Sequence, residues 1–339
     1  MTYLSDKALG RLRDAAEWPD LAGTRYEAID LAGQGGMATV FRVRDTVLDR
    51  ECAMKVLRLP ETDPELAERL RREARILAAL EHPGIVPVHD FGELPDGRAF
   101  YVMKLVKGRR LDEVVAAGAE RTDRLRIFER ICESVAFAHA HGVIHRDLKP
   151  ANIMVGAYGE VLVLDWGVAR VLGAAEAPRT NGRGAPVDGA NGVAGTNDGT
   201  VIGTPGYMAP EQASGRIGDV GPRADVFALG AILAFLLTGD APAEQGAADD
   251  PHAESRADVP RALAAVCAKA TAASPDDRYT DVDALASEVG RYLGGQAVSA
   301  YREPLVDRVV RLGRKHKTAI LLVVAYLLLR VILILFEGR

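Results

Sequence analysis

The sequence predicts an α+β fold of two unequal lobes, followed by one long apolar helix. Three observations carry this. Strand-like alternation with interspersed glycine, and a single helical stretch, fill the chain from Tyr26 to Val106. From Leu111 to Leu293 the periodicity is mainly helical. From Ala319 to Phe336 every residue is apolar or aromatic except Arg330. A β-rich first part and a helical second part imply two lobes with a cleft between them.

The elements follow in order. Residues 1–25 form an extension in which 4–17 show the pattern of a short amphipathic helix. Alternation and glycine from Tyr26 to Arg42, then a strand-like run from Glu51 to Leu57, predict a hairpin turning near Asp45–Asp49. Residues 64–80, rich in Leu, Ala, Glu and Arg, predict a helix. Strand-like runs return at Ile85–Phe91 and Ala99–Val106. Helices are expected over 111–117, 122–142, 223–238, 260–272 and 281–294. Residues 173–199 repeat Gly, Asn, Ala and Pro and hold almost no large apolar side chain, so they are expected to be mobile. A second polar stretch, 240–258, is expected as a surface loop.

Composition excludes some functions. Apolar content of 48% and charged content of 26% are ordinary for a globular chain. A net charge of −5 offers no basic footprint, so no nucleic-acid partner is expected. Cys52, Cys132 and Cys267 are far apart, without a C-x-x-C, and fit buried small hydrophobes in a reducing compartment. The seven histidines show no metal-ligand spacing. The charged first twenty residues lack the apolar core of a signal peptide.

The apolar stretch predicts a membrane span over 318–336. Eighteen residues at about 1.5 Å each cover roughly 27 Å, close to a hydrocarbon core. Arg308, Arg311, Arg314, Lys315 and Lys317 precede it, in a basic segment 294–317 that should stay on the cytoplasmic side. Arg330 costs about 2.5–3.5 kcal/mol, against roughly 0.3–0.6 kcal/mol returned by each of about fourteen Leu, Ile, Val and Phe residues. Apolar residues surround the helix, which disfavours an amphipathic surface helix. The expectation is a single-pass protein of the inner (cytoplasmic) membrane. About three residues follow the span, so no sensor domain is expected beyond it, and Arg330 could pair with an acidic group on a membrane partner.

The run His145-Arg146-Asp147-Leu148-Lys149-Pro150-Ala151-Asn152, with Leu164-Asp165-Trp166-Gly167 after it, supplies two acids, an amide and a lysine at spacings phosphoryl transfer can use. Upstream, Gly33-Gln34-Gly35-Gly36-Met37-Ala38-Thr39-Val40 lies between two strand-like runs, and glycine lets backbone approach phosphate oxygens. It is not a dinucleotide fingerprint, because a strand follows it and not a helix. In Ala53-Met54-Lys55, alternation puts Ala53 and Lys55 on one face. Taken singly these are a tight turn, a surface lysine and satisfied turn residues. Together, at these spacings, they are not.

Both runs resemble the catalytic loop, H-R-D-x-K-x-x-N, and the metal-binding D-F-G of protein kinases, with Trp166 where the family usually has Phe. Further matches are Arg71-Arg72-Glu73-Ala74, His82-Pro83-Gly84-Ile85-Val86, Gly203-Thr204-Pro205-Gly206-Tyr207-Met208-Ala209-Pro210-Glu211, Ala224-Asp225-Val226-Phe227 and Asp276-Asp277-Arg278-Tyr279. The resemblance runs from about Tyr26 to Leu293 and is to bacterial eukaryotic-like (Hanks-type) serine/threonine protein kinases. It implies the bilobal kinase fold: an N-lobe over 26–103, a hinge over 104–106 and a C-lobe over 107–293.

The resemblance also implies ATP, with Mg²⁺ or Mn²⁺, as cofactor and Ser/Thr hydroxyls of proteins as substrate. In these terms Asp147 is the base, Lys149 contacts the γ-phosphate, and Lys55 paired with Glu73 holds phosphate oxygens. Asn152 and Asp165 bind the metal. Ala32 through Val40, Ala53, Lys104, Val106 and Met154 line the nucleotide. Thr204 shapes the site near Asp147 and Lys149, Glu211 pairs with Arg278, and Asp225 anchors the catalytic loop. Arg146 couples activity to a phosphorylated activation loop, with Thr196 or Thr200 the expected site of trans-autophosphorylation in a homodimer. Trp166 is expected in a column with Leu77, Val88, His145 and Asp225. Ala38 in place of the third glycine, Lys104 and Trp166 are the departures that keep a pseudokinase scaffold as the alternative. A small-molecule kinase is disfavoured by the Gly203–Glu211 segment.

Overall fold

The computed structural model describes residues 18–35, 38–58, 64–166, 170–171, 204–215, 220–242, 259–302, 304 and 321–330. The helix expected at 4–17, the 173–199 stretch and most of 240–258 lie outside the described residues. So do Gly36, Met37, Gly167, Thr196, Thr200, the basic residues from Arg308 to Lys317, and both ends of the expected span.

The first lobe is a five-stranded antiparallel sheet with one helix. Its elements are β1 (Tyr26–Gln34), β2 (Ala38–Asp45), β3 (Arg50–Leu57), α1 (Pro64–Ala79), β4 (Val88–Glu93) and β5 (Ala99–Lys104). The strand order is β1-β2-β3-β5-β4. Alternation sorts the side chains onto two faces. Phe41, Val43, Cys52, Met54, Val56, Phe100 and Val102 pack together with Tyr26, and Leu21 leans on them. Leu57 and Tyr101 belong instead to the cluster that contains Ala67, Leu70, Ala74 and Leu77 of α1, whose spacing makes one helical stripe. The hairpin turns between Asp45 and Arg50, as the sequence predicts.

The lobe begins ahead of Tyr26. The Trp18 ring meets Phe41 edge-on at 5.4 Å, and Arg98 Nη2 donates to Trp18 O at 3.2 Å. The run expected from Ile85 is also corrected. The strand starts at Val88, while Ile85 makes a parallel bridge with Val163 and Gly84 O accepts Val163 N–H at 2.8 Å. That bridge ties the first lobe to the second. The hinge placed at 104–106 also begins as strand, because Lys104 ends β5 and its N–H donates to Pro87 O at 3.1 Å.

The second lobe is built on α3 (Arg121–Ala140), α5 (Pro222–Thr238), α6 (Arg261–Ala270) and α7 (Val282–Leu293), each within two residues of its predicted ends. The α5 helix is buried all round, with Val226, Leu229, Ile232, Leu233 and Leu236 in the core. The sequence missed the short elements of this lobe. They are β6 (Gly108–Arg110), β7 (Val143–Ile144), β8 (Ile153–Gly156), β9 (Val161–Val163), β10 (Arg170–Val171) and α4 (Pro210–Ala213), beside the expected α2 (Leu111–Ala116). Two to four residues are too few to show a period. They form a β6-β8-β9 sheet and a β10-β7 pair.

Packing also passes the boundary expected at Leu293. Val298 is 3% exposed, and Glu288 accepts Ser299 N–H at 2.6 Å and Ser299 Oγ–H at 2.8 Å. Farther on, residues 321–330 form a helix, α8, whose side chains are all exposed. Among the described residues no helix is long and apolar enough to cross a membrane.

Candidate active site

The catalytic loop between β7 and β8 hangs from one carboxylate. Asp225, buried on α5, accepts the backbone N–H of His145 at 2.8 Å and of Arg146 at 2.9 Å, and His139 Nε2 lies 2.7 Å away. Burial pushes the Asp225 carboxyl up, but the His139 contact and the Arg146 N–H win and hold it below the usual range. Arg146 has φ 71°, the left-handed region that disfavours a side chain by about 1–2 kcal/mol. Asp225 on its N–H, and the Gln212 Nε2 donor on its carbonyl at 2.9 Å, hold it there. His145 is buried, with Nε2 3.0 Å from Leu164 O and Nδ1 accepting Asp147 N–H at 3.3 Å. Both contacts are satisfied by a neutral ring protonated at Nε2, a tautomer assigned from those contacts.

Three side chains from two distant segments then meet. Lys149 Nζ lies 2.7 Å from Asp147 Oδ2 and 2.8 Å from Thr204 Oγ1. Thr204 in turn donates to Asp147 Oδ1 at 3.2 Å. Asn152 Nδ2 donates to Asp147 O at 2.9 Å, which fixes the amide relative to the acid. Asn152 O accepts Leu164 N–H at 2.8 Å, so the β8–β9 hairpin delivers Asp165 next to Asn152. A carboxylate and an amide oxygen suit a hard cation that completes its shell with phosphate oxygens and water. Among the described residues no group of three or more His, Cys, Asp or Glu could hold a metal unaided.

The third set lies under the sheet. Lys55 Nζ is 2.7 and 3.0 Å from the two carboxylate oxygens of Glu73 on α1, and 3.3 Å from Asp165 Oδ1. Burial opposes the Lys55 charge, and the carboxylates more than offset it, so the ammonium is held above the ordinary lysine range. The same ammonium holds the Asp165 carboxyl below the usual range against the opposing effect of burial. Asp165 itself has φ 60°.

The remaining expected residues divide clearly. In the glycine-rich turn, Gly33 pairs with Val40 and Gln34 with Thr39, and Gly35 N–H donates to Ala38 O at 2.9 Å. Ala32, Gln34 and Gly35 are exposed at the cleft end of the hairpin, while Ala38 and Thr39 are buried. Ala53 is buried opposite Met103, and Met154 and Val106 are half-buried. Glu211 takes a two-pronged contact from Arg278 at 2.7 and 2.8 Å. Trp166 is 1% exposed, stands 4.6 Å from the His145 ring and belongs to the cluster holding Leu77, with Val88 packed against it. Its Nε1–H donates to Val163 O at 3.3 Å, an indole bond that Phe could not make. Sequence reasoning missed His139, Gln212 and Tyr101. Each acts through helix rotation or strand register, which no local motif records.

Comparison with known proteins agrees with this geometry. The family model described as protein kinase domain matches residues 26–291. The chain is 40% identical over 299 residues to the serine/threonine-protein kinase PknB of Mycolicibacterium smegmatis, covering 83% of this chain and 45% of that protein. It is 37% identical over 303 residues to PknB of Mycobacterium tuberculosis, with the same shares. It thus spans less than half the length of these relatives. The crystal structure of the Mycobacterium tuberculosis PknI kinase domain superposes with a TM-score of 0.58 at 26% identity, covering 79% of this chain and 96% of that one. The chain belongs to the protein kinase domain family.

Proposed function

We propose that this chain phosphorylates Ser and Thr hydroxyls of proteins. The observation that carries this is the Asp147–Lys149–Thr204 triangle, because it brings an acid, a cation and a hydroxyl from the activation segment to one point. Bound MgATP supplies the phosphoryl group, with the metal neutralising its charge. Asp147 accepts the proton of the attacking hydroxyl through the oxygen not held by Lys149. Lys149 then offsets charge on the moving phosphoryl group. Asp165 and Asn152 hold Mg²⁺, or Mn²⁺ in its place, and Lys55, aimed by Glu73, holds phosphate oxygens. The Gly33–Val40 turn covers the phosphates, while Ala53, Met154 and the backbone of Lys104 and Val106 hold the adenine.

Incubation with labelled ATP and a generic protein substrate tests this. Wild type should transfer label to Ser and Thr. Asp147→Asn should lose roughly 10²–10⁴-fold in rate while still binding nucleotide. Nucleotide binding without transfer in the wild type would make the chain a pseudokinase scaffold.

Two finer points belong to the same proposal. The exposed side chains of α8, apolar except for Arg330, support a helix made for lipid. Such a span would anchor the protein in the inner membrane with the kinase domain in the cytoplasm. Release by detergent and not by salt is the expected fractionation. Arg146, next to the base, supports activation by trans-autophosphorylation of a homodimer at Thr196 or Thr200. Mass spectrometry of active protein with neither threonine modified would refute that.

A further inference from the structure

The β3–β5 register pairs Lys55 directly with Tyr101, so ammonium and phenol stand side by side on the face that α1 covers. Tyr101 is 2% exposed, and its hydroxyl donates to Glu73 Oε1 at 2.9 Å. Lys55 Nζ reaches the same oxygen at 2.7 Å and lies 5.8 Å from the centre of the Tyr101 ring. One carboxylate oxygen is therefore held from two strands by two different donors.

We propose that Tyr101 is a positioning residue that holds Glu73 by a bond separate from the Lys55–Glu73 pair, and through Glu73 keeps α1 and Lys55 in place. The inference rests on the phosphotransferase function proposed above. Lys55 already divides its donors between Glu73 and Asp165. A phosphate that draws the ammonium further from Glu73 would leave a buried carboxylate short of donors, at a cost that pulls α1 out of place. The phenol bond does not move with Lys55. It keeps Glu73 satisfied while Lys55 exchanges partners. Burial also raises the phenol's pKa, so the hydroxyl stays a donor throughout the working pH range.

The test compares full-length wild type, Tyr101→Phe, Glu73→Gln and the double variant, using MgATP and a generic protein substrate. Tyr101→Phe keeps the ring and removes only the hydroxyl. It should lower kcat/KM for MgATP about tenfold, the size of one lost charge-assisted bond. Amide hydrogen exchange over residues 64–79 should quicken several-fold, with 121–140 unchanged. The double variant should be no worse than Glu73→Gln alone, because both act through one carboxylate. Unchanged kcat/KM with unchanged exchange in Tyr101→Phe would overturn the proposal. So would losses that multiply in the double variant. Should the wild type transfer no phosphate, the phosphotransferase function fails by itself. The exchange arm then decides alone: faster exchange in α1 upholds the tether and unchanged exchange rejects it.

Discussion

Arg278 uses all five of its guanidinium donors. Two go to the Glu211 carboxylate, and the others to the carbonyls of Ala272, Arg223 and Ala273. Both side chains are buried, so removing the acid strands a charge in the interior. Glu211→Ala should cost about 3–5 kcal/mol, seen as a lower denaturation midpoint, whereas an unchanged midpoint would show the pair to be solvated. Asp165 gives a pH-dependent counterpart. Lys55 holds its carboxyl below the ordinary value, so the stability from this contact is full above about pH 4 and disappears as pH falls through the lowered pKa. In Lys55→Met the Asp165 titration midpoint should rise, as followed by carboxyl-carbon NMR. At this scale the sequence was legible wherever chemistry is local. Asp147, Lys149 and Asn152 fall within six positions, and their meeting needs only one loop. Tyr101 and His139 were invisible, because their partners depend on a strand register and a helix rotation.

Elements were legible in proportion to their length. The α3 and α5 helices show several turns of apolar repeat and were placed within two residues, whereas β6 to β10 are too short to carry one. Close approach between elements is likewise hidden in sequence and decided by single glycines. A Cβ on Gly230 in α5 would lie 2.5 Å from Ala270 Cβ at the end of α6 and 3.0 Å from Thr271 Cγ2. Gly230→Ala gains about 1 kcal/mol of helix propensity and meets an overpacking cost of about 1–3 kcal/mol or more. The backbone-linked methyl of Ala270 cannot rotate away, so the cost should win. A net loss of about 1 kcal/mol in chemical denaturation is expected, and a stabilised variant would mean that α6 shifts freely against α5.

The two-lobed whole followed from the change of period near Leu111, but its edges did not, because edge residues are held by contacts far along the chain. The C-terminal edge offers a direct test. The segment after α7 buries Val298 and places the Ser299 hydroxyl and the backbone N–H groups of Ser299 and Ala300 on Glu288. Without this segment Arg291 is the one side-chain donor left to Glu288 among the described residues, at 2.9 Å, and the carboxylate loses its cover. Lost valine burial contributes about 1.5 kcal/mol, and lost donors to a carboxylate about 1.5–3 kcal/mol more. A chain ending at Leu293 should therefore be about 3 kcal/mol or more less stable than one ending at Arg302, at equal denaturant slope. Equal midpoints would instead put the edge of the folded unit at α7. The chain ending at Arg302 should also keep the wild-type rate with a soluble protein substrate, because among the described residues the contacts of the Asp147, Lys55 and Glu211 groups lie before it. A large loss of rate in that chain would show that the segment after Arg302 acts on the catalytic lobes.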